Sequence, residues 1–141
     1  MAGDAAILHG TCVAVAGRGV LIVGAAGSGK SGLALQLIAF GAQLVADDRT
    51  QLVRESARVI ASCPEPIRGL IEARGVGILR LPSATAAPVA LVVDMDRTDD
   101  HRLPPHRTHA LLGRNVPCLH KSAHPHFPAA VLSYMTGERH E

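Results

Sequence analysis

Along the first third of the chain the spacing of apolar positions changes twice, and each change predicts an element. Small and apolar residues alternate from Thr11 to Ala16, Gly17-Arg18-Gly19 interrupts, and Val20 to Val23 is uniformly apolar. That is the pattern of a hairpin feeding a buried strand. Ser31 to Phe40 then carries Leu33, Ala34, Leu37 and Ile38 at helical spacing, and Gly41 stands where a helix C-terminal glycine belongs. Gln43 to Ala46 reads as the next strand, so strand, helix and strand follow one another closely.

Downstream the pattern is less regular. Leu52-Val53 and Arg58 to Ala61 predict short strands around Glu55-Ser56, and Cys63-Pro64-Glu65-Pro66 a loop. Leu70 to Ala73 and Val76 to Leu81 are apolar, with Arg74-Gly75 between them. Pro82 to Pro88 reads as a small-residue loop and Val89 to Val93 as a third strongly apolar strand. Met95 to Arg107 is polar and proline-bearing, as expected of a surface excursion. Pro128 to Thr136 predicts a terminal helix opened by proline. No internal repeat is present.

Composition narrows this picture. A chain of 141 residues is a single domain that buries roughly two thirds of its unfolded surface. Hydrophobic residues make up 48% and aromatics 2%, so Leu, Val, Ile and Ala fill the core, and few rings remain on which nucleic-acid bases could stack. The net charge of +2 is too small for a polyanion-binding surface, which argues against nucleic acid as a partner. Cys12, Cys63 and Cys118 are odd in number and far apart, indicating neither a disulfide framework nor a zinc site. Met1 to Ile7 lacks a basic start, and no apolar run approaches the ~18 residues of a membrane span. The expectation is a cytoplasmic protein without a membrane partner.

The strongest chemical signal is Gly24-Ala25-Ala26-Gly27-Ser28-Gly29-Lys30-Ser31, which fits the phosphate-binding loop G-x-x-x-x-G-K-[ST]. Its glycines let the backbone curl with N–H groups inward, and the following helix adds its positive end to that nest. Lys30 reaches the outer phosphates, and the Ser31 hydroxyl can ligate the magnesium that bridges them. The pattern lies between an apolar strand and a helix, the context it requires. The expected fold is therefore α/β: a P-loop domain with a central mixed sheet and the phosphate loop between the first buried strand and the first helix, which the resemblance given below makes kinase-like.

Strand-helix-strand units cross over right-handedly, so Gln43 to Ala46 should run parallel to Val20 to Val23 and end at the same sheet edge as the loop. Asp47 and Asp48 then approach the phosphates, although alternation lets only one of them face the nucleotide if the strand persists that far. An outer magnesium ligand and a proton-accepting base are both open roles, and so is a plain turn former. Asp94, closing the apolar run of "ALVVDMD", is a rival acidic residue. In "IEARGVGIL", Glu72 and Arg74 stand two apart and project from one face if extended, as catalytic groups or as a salt-bridged strand. Six of the eight histidines lie between His101 and His126 without metal-site spacing, and read as loop histidines. His9, beside Gly10, is either functional or an ordinary strand-end residue.

"LHGTCVAVAGRGVLIVGAAGSGKSGLALQLIAFGAQLVADD" followed by "IEARGVGIL" resembles the catalytic domain of HPr kinase/phosphorylase, which phosphorylates a serine of the phosphocarrier HPr. The resemblance extends from His9 to about Leu81. It implies ATP on Gly24 to Ser31, Mg2+ on Ser31 and Glu72, and His9 lining the active site. It also implies an aspartate of the "ADD" pair as general base, Asp48 by its spacing from Lys30 and Asp47 as second choice. Arg102 of "HRLPP" corresponds to a family arginine, and Arg74 joins Lys30 in stabilising the transferred group. An HPr-like phosphocarrier is the implied partner, and a homo-oligomer is open.

Departures refine the expectation. The motif begins within ten residues of Met1, as in a short form without the regulatory N-terminal domain. Gly32 stands where the family usually has an acidic residue. "LHKSAHPHF" occupies the place of the arginine-rich signature linked to dephosphorylation, which argues against phosphorylase activity. Two other functions remain: a nucleotide-sensing module without catalysis and a small-molecule kinase. A GTPase is disfavoured, because the chain has neither N-K-x-D nor D-x-x-G.

Overall fold

In the computed structural model, which describes residues 4–141, two antiparallel pairings and two parallel ones bring the motifs together. Strand β1 (Ala5–Leu8) leads through His9 into β2 (Gly10–Val15), which turns at Ala16-Gly17 into β3 (Arg18–Val23). The phosphate loop follows, then helix α1 (Lys30–Ala39) and β4 (Gln43–Ala46). Strands β2 and β3 pair antiparallel from Gly10↔Val23 to Val15↔Arg18, and β4 pairs antiparallel with β2. Two reversals leave β4 running in the same direction as β3, with β2 between them. The carboxyl ends of β3 and β4 thus share one sheet edge, as the crossover argument requires, although the strands are not neighbours.

The chain continues through β5 (Thr50–Glu55), β6 (Arg58–Ser62), a short 3-10 turn at Glu65–Ile67, and a separate hairpin of β7 (Leu70–Ala73) and β8 (Gly77–Arg80). Strand β9 (Ala86–Thr98) is followed by the hairpin β10 (Arg107–Leu111) and β11 (Arg114–Lys121), and helix α2 (Phe127–Thr136) closes the fold. β9 organises the sheet. Its first residues pair antiparallel with β6, its middle runs parallel to β3 from Gly19↔Val89 to Val23↔Asp94, and β11 joins its other side in parallel from Cys118↔Val92.

Alternation along β2 and β3 divides the core into two layers. Val13, Val15, Val20 and Ile22 face Leu33, Ala34 and Leu37 of α1 and Val131 and Met135 of α2. Cys12, Ala14 and Leu21 face the opposite side, against Leu52, Val59 and Ala61 of the β5–β6 ribbon. Each fully buried Leu, Val or Ile contributes about 1.5–3 kcal/mol, and Phe127 and Tyr134 pack against the edge of this aliphatic core. All three cysteines are buried and unpaired, and burial pushes the Cys12 thiol up to about 12.

Three expectations need correction. β9 begins at Ala86, inside the segment read as a loop, and ends at Thr98, inside the segment read as an excursion, so only residues 99–106 are irregular there. Its end is exposed on both faces and therefore lacks an apolar pattern. The β10–β11 hairpin was hidden among the histidines. Its turn uses Leu112 and Gly113 at positive φ, and Pro117 precedes the residues of β11 that pair with β9, so the sheet loses no ladder bond there. β1, a short strand on the edge of the ribbon, also escaped the pattern. No helix among the described residues is long and apolar enough to cross a membrane.

Gly32 stands in the first turn of α1, and a Cβ there would meet no heavy atom within 4 Å. Its cost is helix propensity alone. Gly32→Ala is expected to raise stability by about 0.5–1 kcal/mol, read from urea denaturation; a loss would reveal a contact at this position.

Candidate active site

The loop from Gly24 to Ser31 curls as its sequence demands. Gly24 has φ 147°, and a Cβ on it would lie 2.6 Å from Ser28 Oγ, so no side chain fits. Gly29 at φ 101° caps α1 without any side-chain hydrogen bond, and no acidic residue stands in the first turn. The positive helix end is therefore left for an external anion. Lys30 is buried, and its Nζ donates to the loop carbonyls of Gly24 at 2.8 Å and Ala25 at 3.0 Å. Ser28 Oγ is buried without a hydrogen-bond partner, packed beside the Gly24 backbone.

Asp47 ties this loop to three other elements. Its Oδ1 accepts from Ser31 Oγ at 2.7 Å and from Thr11 Oγ1 at 2.8 Å, while its Oδ2 accepts the Glu72 backbone N–H at 3.1 Å. It is buried, and so is Thr11. Asp48 takes the opposite course. The strand stops at Ala46, Asp48 adopts a left-handed conformation at φ 69°, and its exposed carboxylate meets His9 Nε2 at 2.6 Å. The condition under which only one carboxylate would face the site is thus not met. The chain turns before Asp48, and both aspartates reach the phosphate edge by different routes.

A cleft of about 400 Å3 opens between these groups, lined by His9, Thr11, Lys30, Ser31, Asp48, Glu72 and Arg74, among others. Glu72 on β7 and Arg74 just after it both reach the cleft, and no ion pair joins them among the described residues. His9, Lys30, Ser31, Asp48, Glu72 and Arg74 therefore surround one space together with Ala26, Gly27 and Gly29 of the loop, while Asp47 does not line it and reaches it through Ser31.

Arg102 does not line it. Residues 99–106 close on themselves, because Asp99 accepts from His101 Nδ1 and pairs with Arg107. The His101 hydrogen bond, with help from Arg107, holds the Asp99 carboxyl down to about 2. Asp99, Asp100 and His101 also have their ligand atoms near one another, but they lie outside the cleft and nothing further marks a cation site. The six histidines from His101 to His126 are spread over residues 99–106, β10, β11 and the 122–126 turn, and burial, followed by the Arg107 charge, pushes His120 down.

Asp94, the rival acid, is occupied elsewhere. It accepts the Asp96 N–H at 2.9 Å and pairs with Arg97 at 3.5 Å. The loop contact is made by Asp96, whose two oxygens accept the Ala25 N–H at 2.9 and 3.1 Å. The parallel register explains the choice: Val23 lies opposite Asp94, so two residues further on Asp96 stands beside Ala25. Sequence reasoning missed Asp96 and Thr11. A polar residue in the otherwise apolar "TCVAV" was the available signal for Thr11; Asp96 had none without the register.

The cleft offers donors that suit a nucleotide with its magnesium: Lys30, the uncapped N-terminal end of α1, and Ser31 with carboxylates in reach. Asp47→Asn turns one oxygen of a three-donor acceptor into an NH2 group, and should cost about 1–3 kcal/mol. Asp48→Asn, exposed and in a conformation that Asn tolerates, should change stability by less than about 0.5 kcal/mol. Urea midpoints of the two variants compare them directly, and equal values would contradict the separate roles of the two carboxylates.

The family model described as HPr Serine kinase C-terminal domain matches residues 2–101. HPr kinase/phosphorylase of Aromatoleum aromaticum is 41% identical over 126 residues, covering 79% of this chain and 40% of that protein. The Clostridium tetani protein of the same name is 46% identical over 76 residues, covering 54% of this chain and 25% of that one. The chain thus spans less than half the length of these relatives. The solved structure of the HPr(Ser) kinase/phosphatase from Coxiella burnetii superposes with a TM-score of 0.78 at 33% identity, over 93% of this chain and 88% of that one.

Proposed function

Because the chain belongs to the HPr Serine kinase C-terminal domain family, we propose that it transfers the γ-phosphate of ATP to a serine of an HPr-like phosphocarrier protein. The proposal concerns the forward transfer. The observation that carries it is the division of labour between two adjacent carboxylates: Asp47 is saturated by Ser31, Thr11 and the Glu72 amide, whereas Asp48 faces an open cleft beside Lys30. A nucleotide-binding module without chemistry needs the first arrangement but has no use for the second.

In this mechanism the triphosphate lies along the loop from Gly24 to Ser31 against the uncapped end of α1, and Lys30 exchanges the carbonyls of Gly24 and Ala25 for phosphate oxygens. Ser31 and Glu72 would hold Mg2+, which when bound neutralises charge on the phosphates. Asp47 orients the Ser31 hydroxyl. Asp48 accepts the proton of the incoming serine hydroxyl as that oxygen attacks the γ-phosphorus and the bond from phosphorus to the bridging oxygen breaks, releasing ADP; His9 Nε2, 2.6 Å away, orients the carboxylate. Lys30 and Arg74 stabilise the charge that spreads over the transferred group. Phosphoryl transfer asks little covalent work of the protein, so positioning and charge carry most of the catalysis.

The test is transfer from labelled MgATP to the HPr-like proteins of the same host. Asp48→Asn should lower the rate by about 10²–10⁴-fold, the usual worth of a general base, with ATP affinity retained. Lys30→Ala should abolish binding itself. Undiminished transfer by Asp48→Asn would remove Asp48 as base, and tight ATP binding without transfer to any HPr-like protein would favour a sensing module.

A further inference from the structure

A second cleft of about 320 Å3 lies on the other flank of the loop, and Gly29 and Gly32 line both clefts. We propose that this second cleft holds the nucleoside of the nucleotide whose phosphates occupy the first, with the base against the rings of His124 and Phe127. The proposal rests on the nucleotide-binding reading above and assigns the half of the ligand that reading leaves unplaced.

Polarity of the bound molecule comes first. The reacting end must lie beside Asp48, His9 and Glu72, on the side of the loop reached by β2, β4 and β7. A triphosphate running along the loop then leaves it on the opposite flank, where the end of β9 and the end of β11 contribute Met95 and Lys121. The floor between the two clefts is glycine. Gly32 has no heavy atom within 4 Å of its Cβ position, so nothing blocks a chain of phosphates passing from one cleft to the other.

The chemistry of the lining gives an independent reason. The second cleft contains no carboxylate; it presents Lys121, the amide of Gln36, the Ser122 hydroxyl, and the rings of His124 and Phe127 over an apolar base of Met95 and Leu33. One cation in the lining suits the phosphate nearest the sugar, while rings and amide suit a flat heterocycle with a polar edge. The His124 ring is already stacked on His126, with centroids 5.1 Å apart and planes 17° from parallel. In a chain with 2% aromatic residues, this is a rare preformed platform.

The experiment compares ATP with inorganic tripolyphosphate, both with Mg2+, by calorimetry on the wild type and His124→Ala, together with NOEs from the base protons to protein rings. The expected result is NOEs to the His124 or Phe127 ring, tighter binding of ATP than of tripolyphosphate, and a roughly tenfold loss of ATP affinity in His124→Ala with tripolyphosphate unchanged. NOEs to neither ring overturn the proposal. Equal affinities for the two ligands in the wild type also overturn it while leaving the phosphate site standing. Failure of both ligands to bind the wild type removes the nucleotide reading and this one with it.

Discussion

Four elements of this fold meet on one carboxylate. Asp47 directly follows β4, accepts from Thr11 on β2 and Ser31 at the head of α1, and receives the backbone N–H of Glu72 on β7. A buried anion is tolerated only when its hydrogen bonds are made, and here three donors from three separate stretches of chain make them. The requirement acts as a geometric constraint: the loop serine, the central strand and the β7–β8 hairpin cannot drift independently without exposing an unsatisfied charge. The cleft has its shape because this contact is closed.

The same constraint frees the neighbouring residue. With Asp47 committed inward, the chain leaves the strand at once, and the left-handed conformation of Asp48 swings its carboxylate into the open beside His9. Two identical side chains thus acquire different employment through backbone geometry alone. On the far side of the loop β9 performs a comparable service. Its register against β3 sets Asp96 under the Ala25 amide, so both flanks of the loop are anchored to the sheet by aspartates. The loop itself keeps Ser28 Oγ and the α1 end unpartnered.

What could be read in advance followed from local periodicity and short-range chemistry. The β2–β3 hairpin, α1, β4 and the terminal helix come within one or two residues of their expected bounds, because each carries its period within a single window. The elements that escaped share another property. β1, β10 and the end of β9 are exposed or half-exposed, and they are strands because a neighbour supplies hydrogen bonds, not because their side chains alternate. Arg102 illustrates the limit for sites. Its segment is held by the Asp99, His101 and Arg107 network, so a matching residue type is present while the path of the chain keeps it from lining the cleft.

By itself the sequence determined the phosphate loop, since only that order of glycines, lysine and serine between strand and helix builds the anion nest, and it determined that two carboxylates return to the same edge. Both follow from interactions among residues close in the chain and from the handedness of the crossover. Which aspartate is engaged and which is free depended on where β4 stops. That in turn rests on Thr11 and on the Glu72 amide, partners 36 and 25 residues away. Contacts at such separations have no period to be read. They exist only once the sheet has closed, and so the tertiary structure alone decided the division between Asp47 and Asp48.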